Sequence, residues 1–551
     1  MAAQVEHLAS NMEQEISRPL AYFPPTVWGC DFASLPLFNS EIESYTKKVE
    51  VLKEKVKDML MSSKKDLIKN IEFINLLCRL GISYHFENEI EEQLNHIFNV
   101  VHDDINDDYD LYNVALLFRV LRQHGYKISC NVFKKFKDSD GKFNKAISND
   151  VKGNLSLYEA SFVSMRGEDI LDEAIAFARP ILESLAMQSS PHLAKHINDA
   201  LSMPFHRGLP RVEARKFIDF YEEEESHNET LLKFAKLDYN RVQLLHKQEL
   251  GVVSRWWKEL DLAKGLPYVR DRIAEGFFQS AGVQFEPDFA LSRILLTKCI
   301  QILALVDDTY DSYGTLQELQ CFTDALERGN SDQLPADYLK ILYKAVLDFF
   351  EELGDDEGNE GRSYCINYTK ERYKEVVRSY LVEAQWFYDG HLRPFNEYMH
   401  NALISSCFSL LPPVVFLGVE KLAGVKEFKW LETNPKLVEA SKFFGRLLND
   451  MVARKDEEKE GHCLAGNCYM KEYGVSKEKA MEELRMMCDN AWKDMNEESM
   501  RPTAVPMPLI TSIVNLARMM EVVFQYDDGY TIASSLKDHV TLMFVEPIPE
   551  D

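Results

Sequence analysis

The ten cysteines of this 551-residue chain include no Cys-x-x-Cys pair. Their scatter excludes a dense disulfide framework and the usual zinc-binding arrangements. Basic residues are scarce relative to acidic ones, because 63 Lys and Arg stand against 89 Asp and Glu and leave a net charge of −26. Such an acidic chain is not expected to bind nucleic acid or an anionic membrane as its general partner. An anionic ligand would need a local basic patch or metal ions.

The N-terminus lacks the basic residues of targeting sequences. No Lys or Arg precedes Arg18, whereas Glu6, Glu13 and Glu15 do, unlike a secretory signal or an Arg-rich transit peptide. Long apolar runs are lacking too, since the run at 410–418 is broken by two prolines, and we expect no segment that spans a bilayer. The prediction is a cytoplasmic, reduced protein without a membrane partner.

Strict alternation of polar and apolar residues, the pattern of a half-buried strand, is missing, and no fixed-length repeat is visible. Apolar residues instead recur every three or four positions, as at Ile42, Tyr45, Val49, Leu52 and Val56. This spacing is typical of amphipathic helices. The sequence therefore predicts an all-α protein. The same period extends over 111–125, 168–203, 228–250, 290–315, 338–354, 370–408, 434–458 and 476–498.

The chain is longer than one hydrophobic core usually supports, so two helical domains are expected. The best boundary follows the Pro- and Gly-interrupted stretch at 204–210. There an acidic run leads into a Ser226-x-x-Glu229 capping box that predicts a helix start. We place the division near residue 225, which gives an N-terminal domain of residues 1–225 and a C-terminal domain of residues 226–551.

Three aspartates, Asp307, Asp308 and Asp311, end a helix that is expected to be buried. The residues at 294–306 are apolar on nearly every side of a helix, which places that helix inside the protein. Adjacent anions there would repel one another and lose hydration, so a cation should hold them. Asp307 and Asp311 share a helix face, and Mg²⁺ characteristically takes one or two carboxylates plus phosphate oxygens. The sequence predicts Mg²⁺ bound together with a phosphate ester.

A second acidic helix is predicted at 442–462. Its oxygen donors at Asn449 and Glu457 lie two helical turns apart on one face, after an apolar stretch. Taken alone, this segment fits an ordinary solvated charge run better than a ligand site. Paired with the first group of acids, it would form the opposite wall of a cleft.

Together these motifs resemble those of plant class I terpene synthases, and the resemblance spans essentially the whole chain. The motifs that carry it are the DDxxD box at 307–311, the NDxxxxxxE form at Asn449, Asp450 and Glu457, and "YVRDRIAEGFF", which begins about 40 residues before the box. A lone DDxxD box is a weak signal. The three motifs in this order are specific.

The resemblance implies an all-α architecture of two helical domains. The N-terminal α-barrel would be non-catalytic, with an N-terminal segment that covers the active-site mouth, and the C-terminal class I bundle would surround an apolar cavity. Three Mg²⁺ ions are expected, with Mn²⁺ as a possible substitute. The implied metal ligands are Asp307, Asp308, Asp311, Asn449, Asp450 and Glu457. The implied diphosphate-binding residues are Arg270, Arg272 and Arg446, with Asp307 and Asp311.

A cavity that holds a carbocation needs aromatic faces and must exclude water. Aromatic residues at helical spacing are more often core, so each candidate alone has a structural alternative. The candidates near the expected site are Phe277, Phe278, Phe408, Phe524 and Tyr530. The residues with an implied catalytic role are Asp528, Tyr530, Gln279 and Phe524.

Four positions depart from the family pattern. Ala453 stands where a hydroxyl ligand of Mg²⁺ is usual, and Glu460 occupies a position that is usually basic. Gln279 replaces a Trp at the pocket floor, and Phe524 replaces a Tyr. A polar floor favours early quenching or a trapped water, so we expect acyclic, monocyclic or hydroxylated sesquiterpenes among the products.

The expected activity is that of a Mg²⁺-dependent sesquiterpene synthase, a monomer that ionises farnesyl diphosphate and releases diphosphate and a hydrocarbon or alcohol. Two alternatives stay open. One is a monoterpene synthase that uses geranyl diphosphate, and the other is a catalytically impaired or non-enzymatic helical relative. A chain-elongating prenyltransferase is disfavoured, because the second acidic helix carries no further DDxxD box.

Overall fold

A computed structural model describes residues 23–28, 31–101, 108–354, 360–452 and 463–550. The α-helices of the N-terminal part are α1 (Asn39–Ser63), α2 (Leu67–Arg79), α3 (Glu87–Val101), α4 (Leu111–Gln123), α5 (Val151–Ser161), α6 (Asp169–Gln188), α7 (Pro191–Ser202) and α8 (Pro210–Glu223). Those of the C-terminal part are α9 (Glu229–Glu259), α10 (Ile273–Val283), α11 (Ala290–Ser312), α12 (Leu316–Arg328), α13 (Asp337–Glu352), α14 (Glu360–Asp389), α15 (Phe395–Ser405), α16 (Leu411–Leu417), α17 (Val425–Glu432), α18 (Lys436–Val452), α19 (Ala465–Tyr473), α20 (Lys477–Glu498), α21 (Met507–Val523) and α22 (Lys537–Phe544).

The described residues form no β-strand, and their one isolated bridge joins Lys137 and Phe143. The all-α prediction is confirmed. Short 3-10 turns connect several helices, at Phe32–Ser34, Ser83–Phe86, Cys130–Phe136, Lys145–Asn149, Leu262–Lys264, Pro287–Phe289 and Ala533–Leu536.

The proposed boundary at residue 225 falls in the connection between α8 and α9. The start of α9 differs from the predicted Ser226 capping box, because the Asn228 side chain caps it and accepts from the backbone N–H groups of Thr230 and Leu231 at 3.0 and 3.1 Å. The first turns of α9 belong to the core of the N-terminal helices. Its last turns pack against α10, α21 and α22 instead. Helix α9 therefore links the two halves.

Helix α11 runs through the core of the C-terminal half. By length and a mean hydropathy of 1.8, the segment 287–312 could cross a membrane. This corrects the expectation that no apolar segment is long enough to span a bilayer. The prediction considered only uninterrupted apolar runs, whereas a membrane-spanning window tolerates a few polar residues. However, 72% of the apolar window is buried inside the protein, as in the core helix of a globular domain. The helix carries the three aspartates at its C-terminal end.

Contacts between the two halves fix them relative to each other. The Trp492 indole donates to the Phe162 carbonyl at 3.1 Å, and the Asn496 amide donates to the Phe162 and Ser164 carbonyls at 3.0 and 2.8 Å. Arg166 pairs with Asp494. These buried or half-buried bonds hold α20 of the C-terminal half against the end of α5.

The N-terminal segment at 23–28 lies on the start of α10. The Trp28 indole donates to Oε1 of Glu275 at 2.9 Å, and the carbonyl of Pro24 accepts from Nη2 of Arg272 at 2.7 Å. The Phe23 ring lies 4.6 Å from the guanidinium carbon of Arg270. Part of the N-terminal chain thus reaches the C-terminal half, where Phe23 lines a cavity.

Candidate active site

A cavity of about 880 Å³ opens between α10, α11, α14, α18 and α21. Charged and amide side chains line part of its surface and aromatic rings line much of the rest. The charged or amide residues are Arg270, Gln279, Asp307, Asp308, Asp311, Glu383, Arg446, Asn449, Asp450 and Asp528. The aromatic residues are Phe23, Tyr310, Tyr380, Trp386, Phe387, Tyr388, Tyr398, Phe408, Phe524 and Tyr530.

The three aspartates of α11 all line this cavity. Burial, together with the charges of Asp308 and Glu383, raises the pKa of Asp307 to about 6. Burial and the charges of Asp307 and Glu383 raise the pKa of Asp311 well above its usual value. These shifts express the loss of hydration and the repulsion that the sequence predicted, and a bound cation would stabilise the charged carboxylates.

Arg270 neutralises part of the charge on this wall. Its Nη2 lies 3.0 Å from Oδ2 of Asp307 and 2.6 Å from Oδ1 of Asp308, and its backbone N–H donates to Oδ2 of Asp308 at 2.8 Å. Although burial opposes the charged form, the carboxylates of Asp308 and Asp307 raise the pKa of Arg270 above its usual value. The arginine is a permanent cation at the cavity wall, and its role in binding a diphosphate stays a prediction.

Arg272 has a different environment, which corrects its assignment to the diphosphate. Its side chain is 0% exposed and does not line the cavity. Nε donates to the carbonyl of Tyr530 at 2.8 Å, and Nη2 donates to the carbonyls of Pro24 and Thr531 at 2.7 and 2.9 Å. The guanidinium is therefore committed to backbone oxygens, and it ties the N-terminal segment to the loop after α21.

Helix α18 supplies the opposite wall. Arg446 on this helix donates to the carbonyl of Ala402 at 3.0 Å and to the Ser405 hydroxyl at 2.8 Å, and lies 3.4 Å from Asp450. Burial opposes its charge, but the carboxylates of Asp450 and Glu383 raise its pKa above the usual value. The guanidinium is held in place while part of it faces the cavity.

Asp450 is predicted as a metal ligand, but its oxygens have protein partners. Oδ2 accepts from the Tyr398 hydroxyl at 2.6 Å and from the backbone N–H of Ala465 at 3.0 Å, and Oδ1 faces Arg446. These contacts favour a role in positioning Arg446 over direct binding of a metal. The predicted ligand Glu457 and the departures Ala453 and Glu460 lie outside the residues that the structure describes.

Glu383 on α14 is a cavity acid that the motifs did not reveal. It accepts from the Ser405 hydroxyl and, at 3.4 Å, from the Asn401 amide. Burial raises its pKa, and its charge in turn raises the pKa values of Asp307 and Asp311. A glutamate within a long amphipathic helix carries no signal of its own, so only the packing of α14 against α11 identifies it.

Two oxygen donors on separate helices lack partners among the described residues. Asp311 and Asn449 both line the cavity, and neither has a hydrogen bond or ion pair to a described residue. Within the described ranges no three His, Cys, Asp or Glu side chains are grouped closely enough to hold a metal alone. Mg²⁺ commonly keeps waters and takes phosphate oxygens besides one or two carboxylates. These donors fit Mg²⁺ bound with a phosphate ester rather than a closed metal centre.

The aromatic prediction is correct for three residues and wrong for two. Phe408, Phe524 and Tyr530 line the cavity. Phe277 and Phe278 are 0% exposed and pack against α22, where they contact Phe544 and His539. Successive residues on a helix point about 100° apart, so the turn of α10 that directs Gln279 to the cavity sends its two predecessors into the core. The additional cavity rings come from the N-terminal segment, α11, α14 and α15, and the sequence analysis named none of them as a cavity ring.

Gln279 faces the cavity without a partner among the described residues. Its side chain is only 9% exposed, and no described group accepts from or donates to its amide. A buried amide without a hydrogen bond is costly. It is therefore suited to hold a water molecule or a polar group of a ligand.

The loop after α21 brings two more predicted residues to the cavity. Oδ1 of Asp528 accepts from the backbone N–H groups of Tyr530 and Thr531 at 3.0 and 3.2 Å, which fixes a tight turn. The Tyr530 ring lies 5.2 Å from the guanidinium carbon of Arg270. Burial raises the pKa of Tyr530 far above its usual value, so its hydroxyl is neutral and can donate a hydrogen bond.

The sequence matches two domain families in order. Residues 27–201 match the family described as "Terpene synthase, N-terminal domain". Residues 258–494 match the family described as "Terpene synthase family, metal binding domain". The second match contains the acidic ends of α11 and α18.

Whole-chain relatives agree with these matches. The chain is 56% identical to "Probable terpene synthase 6" of Ricinus communis, over 98% of this chain and 100% of the relative. It is 47% identical to hedycaryol synthase of Camellia brevistyla, over 98% of both chains. Among solved structures, isoprene synthase from grey poplar (Populus x canescens), in complex with three Mg²⁺ ions and dimethylallyl-S-thiolodiphosphate, aligns with a TM-score of 0.84 at 32% identity, over 92% of this chain and 98% of that chain.

Proposed function

Because the chain belongs to the terpene synthase family, whose members are lyases that act on prenyl diphosphates, we propose that it is a Mg²⁺-dependent sesquiterpene synthase. Its substrate would be farnesyl diphosphate, and its products diphosphate and a sesquiterpene hydrocarbon or alcohol. The observation that carries this proposal is one cavity in which the carboxylates of α11 and the Arg446 and Asn449 side chains of α18 adjoin a ring-lined chamber.

The charged end of the cavity suits a diphosphate. Arg446 and Arg270 provide guanidinium groups on different elements, and both keep their charge at any pH of interest. The proposed holders of Mg²⁺ are Asp307, Asp311 and Asn449, with Glu457 from outside the described residues. When bound, Mg²⁺ would neutralise charge on the diphosphate and make it a better leaving group. Fixed charges that need no reorganisation are the efficient way to stabilise a departing anion.

The apolar end of the cavity suits the allylic cation that ionisation leaves. Phe408, Phe524, Trp386 and Tyr530 present aromatic rings to the cavity, and such rings attract positive charge through their π faces. Leu303 and the other apolar side chains of the lining would limit the access of water, which would otherwise trap the cation early. Sesquiterpene synthases among the relatives support a fifteen-carbon substrate.

The proposal is tested by offering the purified protein geranyl, farnesyl and geranylgeranyl diphosphate with Mg²⁺. We expect diphosphate release to be fastest with farnesyl diphosphate, and we expect gas chromatography of a hexane extract to detect fifteen-carbon products. A preference for geranyl diphosphate would assign the protein to monoterpene synthesis. If none of the three substrates released diphosphate, the non-enzymatic alternative would stand.

Gln279 is expected to control the share of alcohol in the products. A water held by its amide would attack the cation, forming the C–O bond and passing a proton to the released diphosphate. Gln279→Met keeps the size of the side chain and removes the amide, and should lower the alcohol fraction at least about fivefold. Incorporation of ¹⁸O from labelled water measures that fraction, with Gln279→Glu as the polar control. Equal alcohol fractions in the wild type and Gln279→Met would contradict this role.

A further inference from the structure

We infer that Gly445, because it lacks a side chain, leaves room for the ring of Phe408 and thereby sets the length of prenyl chain that the cavity accepts. This inference rests on the proposed prenyl diphosphate chemistry. Gly445 lies on α18 directly before Arg446, and Phe408 lies between α15 and α16. Both residues line the cavity. The pair thus joins the wall that carries the arginine to the wall that faces the hydrocarbon chain.

The Phe408 ring occupies the space that a side chain at position 445 would need. A Cβ atom built on Gly445 would lie 2.7 Å from Cε2 and 2.8 Å from Cζ of Phe408, and 3.4 Å from Cγ of Met520. Real Cβ atoms essentially never approach a carbon within 3.0 Å. Any larger residue at 445 therefore has to displace the ring.

The backbone before Phe408 holds the ring in this place. Cys407 has a φ of +66°, a left-handed conformation that is uncommon outside glycine and asparagine. Its carbonyl accepts from the backbone N–H groups of Leu410 and Leu411 at 2.8 and 3.0 Å. A tight turn therefore separates α15 from α16 and presents residue 408 to α18. The chain at this point has little freedom to withdraw the ring.

The cavity offers the free volume into which a displaced Phe408 ring can move. Phe408 is 2% exposed and belongs to the apolar core of the C-terminal half, and protein cores have few voids into which a ring could move. A ring displaced by a methyl group at 445 consequently moves into the chamber and shortens it. In a hydrophobic pocket, a misfit of one methylene group typically changes the discrimination between substrates about 10- to 200-fold.

The test compares three variants with the wild type. Gly445→Ala should lower the ratio of kcat/KM for farnesyl over geranyl diphosphate at least about tenfold. Gly445→Ala combined with Phe408→Leu should restore the ratio to within about threefold of the wild type, because the smaller side chain leaves room for the added methyl group. Phe408→Leu alone should shift the preference the other way, towards geranylgeranyl diphosphate.

A matched control separates the steric effect from helix propensity. Gly466 on α19 is also helical, lies outside the cavity, and a Cβ there would meet nothing closer than Sδ of Met481 at 3.9 Å. Gly466→Ala should keep the wild-type ratio. If Gly445→Ala is too unstable to assay, the substrate preference of Phe408→Leu alone tests the inference.

The outcome separates this inference from the proposed function. Unchanged ratios in Gly445→Ala, or in Phe408→Leu, with wild-type thermal melting and normal farnesyl diphosphate turnover, would overturn the role of the pair alone. Absence of turnover in the wild type with every prenyl diphosphate would instead overturn the proposed function.

Discussion

Replacing Asp307 with asparagine should lower the rate of diphosphate release on the order of 10²- to 10³-fold. The carboxylate lies one turn from Asp311 on the same face of α11. Its loss removes a negatively charged oxygen ligand from the proposed Mg²⁺ site. Asparagine keeps the shape of the side chain. Diphosphate release from farnesyl diphosphate under saturating Mg²⁺ measures the effect.

The fold of this variant should be retained. Asp307 repels Asp308, Asp311 and Glu383, so its neutralisation relieves like-charge repulsion, while Arg270 keeps its ion pair with Asp308. The matched control is Asp337→Asn, an exposed aspartate in the first turn of α13, which should turn over at the wild-type rate. Wild-type turnover by Asp307→Asn, with its fold intact, would remove this residue from the reaction.

The two arginines of one motif, Arg270 and Arg272, should respond differently to substitution by lysine: the change at Arg272 should mainly affect stability, and the change at Arg270 should mainly affect KM. Arg272→Lys should lower the free energy of unfolding by about 2–4 kcal/mol, because one ammonium cannot satisfy carbonyls placed for a planar guanidinium. Arg270→Lys keeps a cation beside Asp307 and Asp308 and should lower the free energy of unfolding less than Arg272→Lys does. Its KM for farnesyl diphosphate should rise at least about tenfold, since a bidentate donor to phosphate is lost.

Thermal melting and steady-state kinetics at low temperature distinguish the two roles. Arg272→Lys should melt earlier than Arg270→Lys and keep a KM within about threefold of the wild type. Limited proteolysis near Trp28 should also be faster in Arg272→Lys, because the bond from Arg272 to Pro24 anchors that segment. If Arg272→Lys melted at the wild-type temperature but had a raised KM for farnesyl diphosphate, Arg272 would be a diphosphate-binding residue, as the sequence analysis expected.

Features that depend on neighbours along one helix were predictable from the sequence. The apolar residues before Asp307 indicated a buried helix, and α11 is buried and ends at Ser312, three residues short of the predicted end. The shared face of Asp307 and Asp311 follows from helical geometry alone. For the same reason the all-α fold could be anticipated. The approach of the two acidic helix ends to one cavity was instead expected from the family resemblance, because neither helix specifies its neighbour.

Features that depend on packing between distant elements could not be predicted. Arg272 meets carbonyls that are 248 to 259 residues away in the sequence, and Glu383 reaches the aspartates only because α14 packs against α11. The rotation of α10 decides that Gln279 faces the cavity while Phe277 does not. Gly445 carries no chemical signal at all, and its meaning arises from the ring of Phe408 that fills its space.

The central claim is that the facing walls of α11 and α18 use divalent cations to draw the diphosphate from a prenyl chain. The most direct measurement is diphosphate release from farnesyl diphosphate by the wild-type protein, first with EDTA in excess and then with Mg²⁺ restored. We predict no release above the protein-free background under EDTA, and recovery of both diphosphate and hexane-extractable product once Mg²⁺ exceeds the chelator. Undiminished release in EDTA would contradict the account.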